Sequence, residues 1–155
     1  MKKCLRPLIL ALALALGLSI SASAYTLPFW DQISITHKAA VSQCVERNIL
    51  NGYPEGDFRP NDSITRAQFC KIMSATVNGG STPSSSALKN PFYDVGNGEW
   101  YRDHVAYCYA IGLVDGVGGN LFQPNGNVTA MQAAKMARLA ASFLGQQGLQ
   151  RNIVR

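Results

Sequence analysis

The residues best placed to do chemistry are His104 and Cys108, with Asp103 beside them, and the Asp and Asn residues of the glycine-rich stretches 51–62 and 94–127. Four residues apart on a helix is a shared face, so the imidazole could draw the thiol proton while Asp103 orients it. A working pair needs an activated thiolate in a cleft. Earlier in the chain Cys44 recurs with Ala40 where His104 would stand, so a core cysteine and a surface histidine are the simpler account. The acidic loops suggest calcium, but an EF-hand loop needs oxygen ligands at positions 1, 3 and 5 and Glu at 12. Counting from Asp94 puts Gly96 and Val105 at positions 3 and 12, and counting from Asp57 puts Arg59 and Gln68 there. No cysteines are spaced as a metal-ligand pair, and no paired-carboxylate, Walker-type or hydrolase motif occurs. The expectation is a non-enzyme with no cofactor and no metal.

A different constellation sits in Asn51–Gln68, NGYPEGDFRPNDSITRAQ. Thr65-Arg66-Ala67-Gln68 has the capping-box pattern, in which the Thr oxygen takes the N3 amide and the Gln side chain reaches back to the cap amide. Arg66 then occupies the first helical position. Gly52 and Gly56 suit a chain reversal, and Pro54 and Pro60 keep a helix from running through. The stretch reads as a helix–loop–helix junction with its own start signal.

It occurs twice. An offset of 64 residues carries Val41 to Val105, Cys44 to Cys108, Gly52 to Gly116, Phe58 to Phe122, Pro60-Asn61 to Pro124-Asn125, Ile64-Thr65 to Val128-Thr129 and Gln68 to Gln132. With one inserted residue, Pro28-Phe29-Trp30-Asp31 also meets Pro91-Phe92-Tyr93-Asp94. Agreement at turn, cap and core positions together marks a tandem of one supersecondary unit.

The elements that position these residues follow in order. Residues 1–24 read as a secretory leader: Lys2, Lys3 and Arg6 ahead of an apolar run, then Ala22-Ser23-Ala24 as a cleavage site. Removing it takes three of the 14 basic residues and none of the 9 acidic ones, leaving 11 against 9, or +2, which weakens a nucleic-acid reading. Repeat 1 spans 28–77, with helices expected from about Thr36 to Asn48 and from Thr65 to Val77. Residues 78–90 read as a linker. Repeat 2 spans 91–144, with helices expected from Trp100 to Ile111 and from Thr129 to Leu144, capped by Gly145, and residues 145–155 read as a frayed tail. Three cysteines follow the leader, Cys44, Cys70 and Cys108. They read as small buried hydrophobes, with a Cys44–Cys70 bridge as the main rival.

Laid out this way, the unit resembles the S-layer homology (SLH) repeat of bacterial surfaces. The first copy has F-W-D, a helix, then G-Y-x-x-G-x-F-x-P and I-T-R-A; the second has F-Y-D, W-Y, D-G and L-F-Q-P-N-G-N-V-T. The resemblance implies an all-α fold in which two pseudo-symmetric helix–loop–helix repeats form part of a helical bundle. It also implies a secreted, cell-wall location and noncovalent binding of secondary cell-wall polysaccharide ending in a pyruvylated amino sugar, in grooves between repeats. No membrane span is expected after leader cleavage. The alternative is a structural or adaptor protein that associates with other SLH repeats without touching glycan.

The resemblance places the ligand near Arg66, where a guanidinium fork joins the free amides of a helix start to favour an anion. Thr65, Gln68 and Gly52 complete the ligand-binding set that the resemblance implies around that start. Trp30 and Trp100 offer flat faces for a sugar ring, although a large aromatic that opens a unit is more often a core plug. Asp31 and Asp94 suit sugar hydroxyls and equally suit capping the next turn. Phe58 and Phe122 read as core. The chain departs from the family pattern in having Ala130 where repeat 1 has Arg66, Gln68 and Gln132 where Glu is usual, and two repeats where three are usual. An incomplete bundle leaves an apolar flank, to be closed by self-association or by a repeat of another protein.

Overall fold

The computed structural model describes residues 26–83 and 88–153. The leader expected over 1–24 lies outside the described residues, as do residues 84–87 of the linker. Among the described residues the chain is all-α: a short 3-10 turn at Gln32–Ser34, then α1 (Lys38–Glu46), α2 (Arg66–Val77), α3 (Arg102–Ala110) and α4 (Ala130–Ile153).

The helices begin and end where local chemistry dictates. Thr65 Oγ1 accepts from the Gln68 amide at 3.2 Å, and Gln68 Oε1 accepts from the Thr65 amide at 2.8 Å, completing the capping box at α2. Thr129 and Gln132 repeat it at α4 with 3.1 and 3.2 Å. The helix ends also match. Past α1, Asn48 turns left-handed at φ 56° and the Ile49 amide reaches back to Cys44 O at 2.8 Å; past α3, Gly112 does so at φ 73° and Leu113 reaches Cys108 O at 2.8 Å. Both close the orphan carbonyls of a helix end by the Schellman pattern.

Two boundaries differ from expectation. Trp100 lies in the turn before α3, so that helix starts at Arg102. Gly145 does not stop α4, which continues to Ile153. A single Gly in a helix costs only about 1 kcal/mol, and without a left-handed turn it does not end one; Gly145 is not among the positive-φ glycines.

α2 is the central helix. It packs against both α3 and α4, so the second helix of repeat 1 is enclosed by repeat 2. The main core gathers Ala67, Cys70 and Val77 from α2, Val105 and Cys108 from α3, Met136 and Ala140 from α4, and Phe92, Leu113 and Phe122 from the connecting segments. A smaller cluster of Leu27, Phe29 and Ile35, with Val41, Val45 and Phe58 against it, seats α1. Phe122 is fully buried and Phe58 half-buried, in keeping with a core role for both.

Candidate functional site

The two loops are wired alike. In each, an Asp after the leading aromatic pair accepts two consecutive amides: Asp31 takes Phe58 N at 2.9 Å and Arg59 N at 2.8 Å, and Asp94 takes Phe122 N at 2.8 Å and Gln123 N at 2.7 Å. The second residue of each pair is left-handed, Arg59 at φ 54° and Gln123 at φ 57°. For non-glycine residues that conformation is disfavoured by sterics, and the carboxylate holds the amides that it exposes. Of the two roles open to Asp31 and Asp94, the structure gives both a loop-tying one.

Gly52 fits the same scheme. At φ 68° it packs so closely that a Cβ would run into the Phe29 ring and sit 2.7 Å from Asp57 O. It shapes the loop of repeat 1. Trp30 and Trp100 are 72% and 57% exposed, so neither plugs the core; the neighbouring Phe29 and Tyr101 take the buried places. Trp100 stands edge-on to Tyr101 with ring centroids 5.2 Å apart.

The junction between the repeats forms at the start of α2. The Arg66 amide donates to Gly126 O at 2.9 Å and the Ala67 amide to Pro124 O at 3.0 Å, while Val128 N donates to Ile64 O at 3.0 Å. The helix-start amides expected to await an anion are therefore taken by the loop of repeat 2. The Arg66 side chain follows them inward. Its Nε donates to Phe122 O at 2.8 Å and Nη2 to Asp115 O at 3.2 Å, with the guanidinium 4.7 Å over the Phe122 ring.

Arg66 is 6% exposed, so the open cationic fork expected from the sequence is instead a clasp between repeats. Burial pulls its pKa down, and the nearby Cys70 and Asp94 oppose this. An arginine keeps its charge under such a shift, so the junction holds a positive charge beneath Asp94. Sequence patterning did not point to its partners, because both are backbone carbonyls and carry no residue-type signal.

Around the loop segment that caps α2 lies an open groove of about 570 Å³, lined by Asp94, Glu99, Tyr101 and Gln123–Gly126. Trp100 is not in the lining but stands against the ring of Tyr101, which is. Of the sequence-derived candidates, Arg66, Thr65, Gln68, Asp94 and Trp100 converge on the junction or the groove beside it. Trp30, Asp31 and Gly52 belong to the loop of repeat 1.

His104, expected at the surface, is buried in α3 with Nδ1 2.6 Å from Ser74 Oγ of α2. Burial first, then Lys71, lowers its pKa, while Asp103 raises it. Asp103 is paired with Arg102 at 2.8 Å. A histidine held neutral between packed helices serves the interface between repeats.

The S-layer homology domain family matches residues 28–70 and 91–134, one match per repeat and more than half the chain. The chain belongs to the S-layer homology family. Among its relatives, the surface-layer 125 kDa protein of Lysinibacillus sphaericus is 31% identical over 127 residues, 82% of this chain and 10% of that protein. The S-layer protein sap of Bacillus anthracis is 29% identical over 97 residues, 63% of this chain and 11% of that protein. An exoglucanase, XynX, of Acetivibrio thermocellus is 27% identical over 107 residues, 69% of this chain and 9% of that protein. The SLH chain thus spans about a tenth of the length of these relatives. As an SLH protein it is a cell-surface, wall-associated anchoring module. Among the described residues no helix is long and apolar enough to cross a membrane.

Proposed function

We propose that this SLH chain anchors to the wall by noncovalent binding of secondary cell-wall polysaccharide, with a pyruvylated amino sugar held in the groove at the repeat junction. Family membership over both repeats carries the reading. The groove supports it: exposed Trp100, against the lining residue Tyr101, offers a flat face beside it, Glu99 and Asn125 offer acceptors and donors for sugar hydroxyls, and Arg66 beneath Asp94 contributes a positive field toward a pyruvyl carboxylate. At junction distances and an effective dielectric near 20, such a field amounts to a few kcal/mol at most.

The test is pull-down of the protein by purified wall sacculi, with and without chemical removal of pyruvyl groups, beside Trp100→Ala. Retention by native sacculi and loss after depyruvylation or in the variant is the expected result. Equal retention on depyruvylated walls would reject the pyruvyl specificity, and no retention on native walls would reject glycan anchoring.

A second reading, association with another SLH chain, is favoured by comparing equivalent positions. On α2, Ala67, Cys70 and Val77 are buried in the core shared with α3 and α4. Their counterparts on α4, Met131, Ala134 and Ala141, are exposed, Met131 at 84%. On α3, Val105 and Cys108 are fully buried, whereas Val41 and Cys44 of α1 are half-buried. The contact used between repeats would be reused if α1 of one copy lay on α4 of another, a head-to-tail arrangement. Light scattering at micromolar concentration should give a mass above the monomer that falls with Met131→Glu. A compact monomer at all concentrations would overturn it.

A further inference from the structure

The contact between α2 and α3 contains a feature that wall binding does not use. Cys70 and Cys108 are both fully buried there. Cys70 Sγ lies 3.6 Å from the carbonyl of His104, one turn before Cys108 on α3. Cys108 Sγ lies 3.6 Å from the carbonyl of Cys70 itself. Each sulfur thus rests against the backbone that carries the other. Ser74 of α2 is buried in the same contact, with its Oγ 2.6 Å from His104 Nδ1 of α3. Cys44, the repeat equivalent of Cys108, is only half-buried on α1. The pairing of Cys44 with Cys70 suggested by sequence therefore gives way to a contact across the repeats.

We propose that Cys70 and Cys108 form a disulfide joining α2 of repeat 1 to α3 of repeat 2 when the exported chain meets an oxidant of the disulfide class. The cell surface is a compartment where such bonds persist. One cysteine thiolate attacks the oxidant's S–S bond and releases one thiol. The second thiolate then attacks the protein sulfur of the mixed disulfide and releases the other. The two protein thiols lose two protons and two electrons, and one small disulfide becomes two thiols. The neighbouring Cys108, and then burial, hold the Cys70 thiol well above its ordinary range. The thiolate is the reactive form, so exchange proceeds before α3 seats on α2 or when it lifts away. The bond closes a loop across a separation of 38 residues and leaves Cys44 as the unpaired thiol, which accommodates the odd count.

The test uses the full chain carrying Cys4→Ser, refolded with oxidised glutathione, alkylated in non-reducing denaturant and digested with trypsin. The expected product is peptide Ala67–Lys71 joined to peptide Asp103–Lys135, two hydrogens lighter than the separate pair, with the Cys44 peptide alkylated. The oxidised form should melt roughly 10 °C or more above the reduced form. In Cys108→Ser, Cys70 should become alkylated and that gap should vanish. Free alkylation of Cys70 after oxidation, a bridge from Cys70 to Cys44, or a Cys70 cross-link that survives Cys108→Ser would each overturn the proposal.

Discussion

Arg66→Ala is the substitution that most sharply separates a clasp from a ligand contact. It removes the 2.8 Å bond to Phe122 O, the 3.2 Å bond to Asp115 O and the cation–π contact with the Phe122 ring. Phe122 O is buried, so its loss leaves an acceptor without water. Bonds to a charged donor contribute about 1.5–3 kcal/mol each, with the longer one to exposed Asp115 at the low end. A cation–π contact adds about 1 kcal/mol, and relief of the arginine's own desolvation offsets part of the sum. A net loss of roughly 3 kcal/mol follows, and for a chain of this size a fall in Tm of roughly 10–15 °C. Arg66→Lys keeps the charge without the planar fork and should recover less than half. Thermal unfolding followed by circular dichroism, paired with urea titration, measures both. If Arg66→Ala melts within about 2 °C of the parent yet no longer binds sacculi, the side chain contacts ligand and the clasp is wrong.

Further predictions concern the loops and the helix interface. Asp31→Ala and Asp94→Ala each strip two loop amides of their acceptor. Each should cost about 2–3 kcal/mol by urea unfolding, with Asp94 the larger because Phe122 beneath it is fully buried; a change under about 0.5 kcal/mol would show the fork to be incidental. His104 has a folded pKa below its ordinary 6.5, so on acidification the unfolded chain takes the proton first. Stability is therefore complete above pH 6.5 and declines as pH falls below it, by at most about 1.4 kcal/mol per pH unit for one proton, until the folded imidazole also titrates. His104→Asn should flatten that slope, and an unchanged slope would assign it elsewhere. Gly52→Ala meets both the Phe29 ring and a left-handed backbone and should destabilise by more than the ~1 kcal/mol of an ordinary left-handed Gly→Ala change.

What the sequence conveys follows from which interactions have a residue-type signature. Both capping boxes and the doubling by 64 residues are carried by Thr, Gln and Gly at fixed spacings and recur in space as they do in the chain. The left-handed turn at Arg59 has no such letter. The central place of α2 is not legible in the same way. Nothing in RAQFCKIMSATV says that its partners are α3 and α4 rather than α1. The fate of Arg66 turned on two carbonyls, which have no letter of their own. The burial of His104 turned on Ser74, thirty residues away, where repeat 1 has Ala40 and offers no parallel. The tryptophans went outward because Phe29 and Tyr101, next in the chain, had already filled the space within.

The seam where Ile64-Thr65 of one repeat lies along Asn127-Val128 of the next has a mechanical corollary. At this seam a guanidinium rivets the docking loop to the helix start. The corresponding start of α4 begins with Ala130, so any loop that settles there, whatever chain supplies it, is gripped by backbone groups without that rivet. Under tension along a surface, the seam within the chain should outlast one made at α4, and the module would let go of a neighbour before it came apart itself.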